Sequence, residues 1–192
     1  LDCDFYVFSG HKLYGPSGVG VLYMKDKWFE KFDPYQGGGS MIDIVEIDNT
    51  SFAKGYQKFE AGTPPIAQVI GLGSSIDFVD SLDLKNIFKY EKKLHDYMVE
   101  KLNSQNDISI YGKSSNKGAI VSFNLKGIHA NDLAMILNEK NIAIRTGHHC
   151  TQPLMKYLGI TSCARASFGV YNNIEDVDLF FESLLEAKKI LS

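Results

Sequence analysis

Two short segments carry the side chains capable of covalent chemistry. In the first, the aromatic and β-branched run Phe5-Tyr6-Val7-Phe8 reads as a strand. It stops at Ser9-Gly10-His11-Lys12-Leu13-Tyr14-Gly15-Pro16, where two glycines and a proline break regular structure. A lysine at the mouth of such a strand, beside a hydroxyl and an imidazole, is expected to be partly desolvated. A desolvated amine gives up its proton more readily and can form a Schiff base with an aldehyde. The alternative is an ordinary solvated loop lysine. In the second segment the apolar Ile142-Ala143-Ile144 runs into Arg145-Thr146-Gly147-His148-His149-Cys150-Thr151-Gln152-Pro153. This puts a thiol directly after two histidines and five residues after an arginine, and nearby positive charge favours the nucleophilic form of a thiol. Cys3 and Cys163 read instead as small buried hydrophobes.

The elements that must position these residues alternate between strand and helix. Gly18 to Met24 reads as a second strand. Thr63-Pro64 reads as an N-cap followed by a proline at the first helical position. The helix it opens carries Ile66, Val69, Ile70, Ile76 and Val79 toward a core, with Gly71 and Gly73 permitting close approach. The chain breaks around Ser81-Leu82-Asp83, and a long amphipathic helix follows, with Ile87, Tyr90, Leu94, Met98 and Leu102 three or four residues apart. Strands are expected at Ile108–Tyr111, Ala119–Phe123, Asn141–Arg145 and Ala164–Val170, and a helix over Asp132–Asn138. Asn173 caps a last helix with Asp176 in capping-box position, placing Ile174, Val177, Phe181 and Leu184 on one face. The expected architecture is α/β, with one domain over residues 1–82 and a second over residues 83–192.

The chain has 192 residues, of which 44% are hydrophobic, enough for a sizeable core. A formal charge of −3 with scattered basic residues gives no reason to expect nucleic acid. No apolar run reaches the roughly 18 residues needed to span a membrane. Three cysteines without framework spacing point to a reducing, cytoplasmic setting. Leu1 is followed almost at once by a strand, which is the pattern expected of a piece of a longer polypeptide.

Five ordered motifs resemble one family. Ser9-Gly10-His11-Lys12-Leu13-Tyr14-Gly15-Pro16 is similar to the cofactor-lysine motif of pyridoxal-phosphate cysteine desulfurases and selenocysteine lyases, within the class V aminotransferase group. Arg145-Thr146-Gly147-His148-His149-Cys150 resembles the active-cysteine loop of the group II, Suf-type desulfurases. Gly37-Gly38-Gly39-Ser40-Met41-Ile42, Phe59-Glu60-Ala61-Gly62-Thr63-Pro64 and Cys163-Ala164-Arg165-Ala166-Ser167 match the same pattern. The resemblance implies a fold-type I pyridoxal-phosphate transferase, represented by its C-terminal half: the tail of the large cofactor-binding sheet domain, then a smaller α+β domain carrying the active cysteine. Its acidic residue for the pyridine nitrogen and its ring over the cofactor face are expected upstream of Leu1.

The same resemblance implies roles. Lys12 would hold pyridoxal 5′-phosphate and act as general base, Ser9 and His11 would contact its phosphate, and Cys150 would take sulfur from L-cysteine as a persulfide. Arg165 would bind the substrate carboxylate, with Arg145 in a weaker role near the cysteine loop. Thr63 would reach the phosphate of the neighbouring subunit's cofactor, which implies a homodimer. Other readings remain open for each. Ser9 could cap the turn, His11 could satisfy a carbonyl, Arg165 could sit in a structural ion pair, Thr63 could only cap its helix, and the triple glycine could only make a turn. The short cysteine loop implies slow turnover alone and stimulation by a sulfur-acceptor protein of the Suf system, serving iron–sulfur cluster assembly. The alternatives are a selenocysteine lyase, a non-catalytic relative, or a metal site at His148, His149 and Cys150 with His129, against which the adjacent spacing argues.

Overall fold

The computed structural model describes residues 1–112, 114 and 116–192. These form two compact units, Leu1–Asp83 and Leu84–Ser192.

In the first unit, β1 (Phe5–Ser9) pairs antiparallel with β2 (Gly20–Met24), Ser9 opposite Gly20. The connection between them is a short 3-10 turn, Gly10–Lys12, closed by Gly15 N–H donating to the Gly10 carbonyl at 3.0 Å. Both glycines are required sterically. A Cβ on Gly10 would lie 2.8 Å from Val19 Cγ1, and one on Gly15 would lie 2.9 Å from the Gly10 carbonyl oxygen. A second hairpin, β3 (Ile42–Val45) with β4 (Thr50–Phe52), was not expected from the sequence. Helix α1 spans Ile66–Leu82.

Three expectations for this unit are corrected. Thr63 does not cap α1: Pro65 is the N-cap and Ile66 the first helical residue. Consecutive prolines explain the delay, because a residue before proline is driven out of the α region, which excludes both Thr63 and Pro64. Of the five apolar residues assigned to the core face, only Val79 is buried, together with Leu72 and Ser75, whereas Ile66, Val69, Ile70 and Ile76 are exposed. Apolar residues surround α1, so spacing alone does not define its buried face. Finally, Gly71 meets Pro16 Cγ at 3.2 Å from an added Cβ, but nothing lies within reach of Gly73.

The second unit is a four-stranded antiparallel sheet covered on one face by three helices. Its strands are β5 (Ile108–Tyr111), β6 (Ile120–Leu125), β7 (Arg145–Gly147) and β8 (Cys163–Ser167), in the order β5-β6-β8-β7. Helices α2 (Leu84–Asn103), α3 (Ala130–Glu139) and α5 (Ile174–Leu191) supply the cover, and α4 (Gln152–Leu158) follows the cysteine loop. Leu94, Met98 and Leu102 of α2, Phe123 of β6, Leu137 of α3 and Val177 and Leu184 of α5 have no exposed surface. Each such side chain contributes roughly 1.5–3 kcal/mol by leaving water. Ile87 and Tyr90, at the start of the same stripe, are only partly covered. Helix α5 opens with the expected capping box, Asn173 Oδ1 accepting from Asp176 N–H and Asp176 Oδ2 from Asn173 N–H.

Three strands of this unit differ from expectation, β6 by running from Ile120 to Leu125 rather than from Ala119 to Phe123. The expected strand Asn141–Arg145 is found at Arg145–Gly147, because Asn141 turns the chain at φ 60° and Ile142 N–H is still bonded to the Leu137 carbonyl of α3. Strand β8 runs only to Ser167: Phe168 N–H still bonds the carbonyl of Ala119, directly opposite in the β6–β8 register, but Gly169 N–H turns to the Asn172 side chain. Among the described residues, no helix is long and apolar enough to cross a membrane.

Candidate active site

Alternation along β8 sorts its residues between two faces. Ala164 and Ala166 point into the helix-covered core, and Cys163, Arg165 and Ser167 point to the other side. The register sets Arg165 between Ser122 of β6 and Arg145 of β7, so two guanidinium-bearing residues are direct cross-strand neighbours. Like charges in that position oppose each other. Among the described residues neither arginine has a salt bridge to a carboxylate, and Arg165 Nε is buried without a hydrogen-bond partner. Arg165 is thus half-buried, unpaired and facing the side of the sheet that α2, α3 and α5 leave uncovered. This favours an anionic ligand over the structural ion pair left open above.

Strand β7 leads directly into the cysteine loop. Thr146, on the helix face, donates to Asn131 Oδ1 of α3 at 2.7 Å and fixes the strand's end. Gly147 then turns at φ 106°. The loop His148–Thr151 closes on itself, with Thr151 N–H and Oγ1 both donating to the His148 carbonyl, at 2.9 and 2.8 Å. His149 and Cys150 both adopt left-handed backbone, φ 53° and 63°, a conformation L residues with side chains rarely hold. Cys150 is exposed, and Arg145 Nη2 donates to its Sγ at 3.2 Å. Cys163 is buried, and burial pushes its thiol pKa up. Cys3 is only half-buried. Cys150 is therefore the presented sulfur of the second unit.

His149 is bonded to the backbone of β8. Its Nε2 lies 3.0 Å from the Cys163 carbonyl oxygen, and its Nδ1 is buried with no partner among the described residues. Burial is the main cause of a His149 pKa below the ordinary imidazole value; the Arg165, Arg145 and His148 charges lower it further, while the bond to Cys163 opposes the shift. Among the described residues no group of three histidine, cysteine, aspartate or glutamate side chains could hold a metal ion. His129 is engaged elsewhere, its Nδ1 accepting from Asn131 N–H at the start of α3. The metal reading therefore has no supporting geometry.

In the first unit, Lys12 closes the turn between β1 and β2, flanked by Ser9 and His11. It is exposed within this unit, which corrects the expectation of a desolvated amine: β1 is itself largely uncovered, with Tyr6 and Val7 exposed. His11 is also exposed and Ser9 half-buried. Thr63 is exposed and, lying outside α1, does not spend its hydroxyl on a cap. The segment before it is held by the glycine-rich turn: Gly62 N–H donates to the Gly39 carbonyl at 2.8 Å, and a Cβ on Gly38 would lie 3.2 Å from Ala61 Cβ. The accessible Lys12 amine, the His11 imidazole and the Ser9 hydroxyl make a donor set that fits pyridoxal phosphate, and the unpaired Arg165 guanidinium fits an amino-acid carboxylate.

Comparison with known proteins gives a consistent result. The Aminotransferase class-V pattern matches residues 1–180. The chain is 47% identical over 192 residues to a cysteine desulfurase of Wigglesworthia glossinidia brevipalpis, covering all of this chain and 47% of that protein. Among solved structures, the cysteine desulfurase CsdA from Escherichia coli, determined as its S-sulfonic acid, superposes with a TM-score of 0.95 at 36% identity, over 100% of this chain and 47% of that one. The apo cysteine desulfurase from Thermococcus onnurineus NA1 gives 0.93 at 40% identity, over 98% and 48%. The chain thus spans about half the length of the relatives it matches. A match running through both units, over motifs that include the Lys12 turn and the Cys150 loop, makes this chain a member of the class V aminotransferase family.

Proposed function

We propose that the chain is part of a pyridoxal-phosphate-dependent cysteine desulfurase of the Suf type, a cytoplasmic homodimer that supplies sulfur for iron–sulfur cluster assembly. The observation that carries this reading is the Cys150 site: an exposed thiol on left-handed backbone, with a guanidinium donor 3.2 Å from its sulfur.

When bound, the cofactor withdraws electrons from the Cα of an amino-acid substrate. Lys12 would hold it through the amine and, once freed, take the Cα proton as general base. Ser9 and His11 would donate to its phosphate, and Thr63 to that of the neighbouring subunit. Arg165 would grip the substrate carboxylate bidentately, a geometry lysine cannot supply. Arg145 steadies Cys150 Sγ from the adjacent strand. Cys150 then attacks the substrate sulfur. An S–S bond forms as the C–S bond breaks, and the electron pair stays with the substrate carbon. A proton taken up there yields L-alanine, leaving a persulfide on Cys150. Only His148–Thr151 separate β7 from α4. So short and self-bonded a loop has little reach, which supports turnover limited by delivery of the persulfide to a separate acceptor protein.

Mass spectrometry of the full-length protein after incubation with L-cysteine tests the reading. One sulfur should be gained on the peptide containing Cys150 and be absent in Cys150→Ala; gain on another cysteine, or on none, refutes it.

A further inference from the structure

His149 has no part in the chemistry above, yet its side chain bonds outside the cysteine loop, to the backbone of β8. A carbonyl oxygen only accepts, so the 3.0 Å contact to Cys163 requires the hydrogen on His149 Nε2. That leaves Nδ1 as a bare acceptor, buried and without a donor among the described residues. The bond ties the loop to β8, two residues before Arg165. Left-handed backbone at consecutive non-glycine residues persists only where its surroundings over-determine it. Here the candidates are few. The Thr151 N–H bond to the His148 carbonyl closes a turn with His149 and Cys150 as its two central residues, which accounts for their positive φ but does not tie that turn to the sheet. The Arg145–Cys150 contact joins two exposed side chains and is weakened by water. The His149–Cys163 bond is the partly buried one.

Resting on the desulfurase reading, we infer that His149 is a positioning residue: bonded through Nε2 to the Cys163 carbonyl, it anchors the Cys150 turn to β8 and so holds Sγ where it is offered to substrate. It does this as a neutral ring. Protonation at Nδ1 would bury a cation with no acceptor, facing Arg165 on β8, Arg145 on β7 and His148 in its own loop, and the charges of these groups together with burial oppose it.

The test uses the full-length holoprotein and two substitutions. His149→Ala removes the donor. His149→Gln keeps an N–H near the position of Nε2, fills most of the ring's volume and does not titrate. Two quantities are read: backbone hydrogen exchange of the peptide spanning residues 146–152, and single-turnover persulfide formation on Cys150 at saturating L-cysteine. His149→Ala should exchange about three- to tenfold faster and form persulfide slower by a similar factor, the value of one hydrogen bond, with KM for L-cysteine unchanged. His149→Gln should restore both and keep the loop protected as pH falls, where the wild type loosens. Unchanged exchange and rate in His149→Ala, or a His149→Gln that behaves like it, overturns the inference. Should His149→Ala not fold, identical pH profiles of exchange in wild type and His149→Gln overturn it equally. If the exchange results hold but no variant, wild type included, forms a persulfide, the loop restraint stands and the desulfurase reading fails.

Discussion

Replacing Arg165 by methionine separates a ligand-binding arginine from a structural one, because the two roles predict opposite signs in two assays. From this geometry Arg165 should cost the chain stability. Its Nε is buried without a partner, and its cross-strand neighbour is another arginine. An unsatisfied buried donor costs about 1–3 kcal/mol, and a like-charged cross-strand pair about 0.2–1 kcal/mol. Methionine keeps the aliphatic stem and removes both terms, so the full-length protein should gain roughly 1 kcal/mol in unfolding free energy by denaturant titration, the partial exposure of Arg165 trimming the larger sum. Binding should move the other way. A charge-assisted carboxylate contact contributes about 1.5–3 kcal/mol, so the dissociation constant for L-cysteine should rise roughly 10- to 100-fold at 1.4 kcal/mol per decade. Arg165→Lys should recover little of that, since ammonium lacks the bidentate fork. Destabilisation by more than 1 kcal/mol with unchanged L-cysteine affinity would refute the assignment and make Arg165 structural.

Three further outcomes follow from the same geometry. Gly10→Ala forces a Cβ to 2.8 Å from Val19 Cγ1 and 3.2 Å from the Pro16 carbonyl oxygen; the overpacking should cost about 1–3 kcal/mol and reduce the absorbance of bound cofactor by displacing the Lys12 turn. Asn173→Ala removes half of the α5 capping box and should cost about 1 kcal/mol in a denaturant melt, with persulfide formation unaffected. Stability should also fall with acid in two separate windows. His149 has a folded pKa below 6.5, so the unfolded chain takes the proton first: its contribution is complete above 6.5, is lost as pH falls through the folded value, and should be missing from His149→Gln. Asp4, Asp96, Asp107 and Asp178 are held below 3.8 chiefly by hydrogen bonds from Lys27, Lys92, Lys188 and Lys101, so their contributions persist above 3.8 and disappear only at lower pH.

What the sequence disclosed was local. The α2 stripe and the Asn173 capping box depend on residues within one or two turns of each other; the capping box is found as expected, and the stripe is buried from Leu94 to Leu102 though not at Ile87 and Tyr90. The start of α1 was misread although its signals are adjacent, because the constraint of Pro65 on Pro64 outweighs the capping preference of Thr63. Tertiary placement was hidden. Which side of α1 is buried, and where β7 begins to pair, depend on partners elsewhere in the chain. The site divides the same way. Cys150 was legible from its neighbours, and its contact with Arg145 spans only five residues. The pairing of Arg145 with Arg165 and the bond from His149 to Cys163 require the β7–β8 register, which no spacing rule contains.

That register also explains why departures from ordinary stability rules collect in one corner of the second unit. Elsewhere the unit is locally consistent: its helices cover the sheet with buried aliphatic faces, and Lys92, Lys101, Lys140 and Lys188 each meet a carboxylate. At the β7–β8 end, two consecutive non-glycine residues hold left-handed backbone, two arginines oppose each other without an acid, and both Arg165 Nε and His149 Nδ1 are buried unpaired. Among the described residues, the one other buried unpaired side-chain atom is His95 Nε2 on α2, and its ring is held on the other side by Asp96. Among the described residues, two of the three such atoms thus lie at one end of the sheet, the pattern expected where a fold is shaped for a ligand rather than for its own stability. On the proposed reading, the cost is borne where a thiol is presented and an anion received. Substitutions that relieve it, Arg165→Met among them, should therefore stabilise the chain as they remove its chemistry, while substitutions in the consistent region, such as Asn173→Ala, should do the reverse.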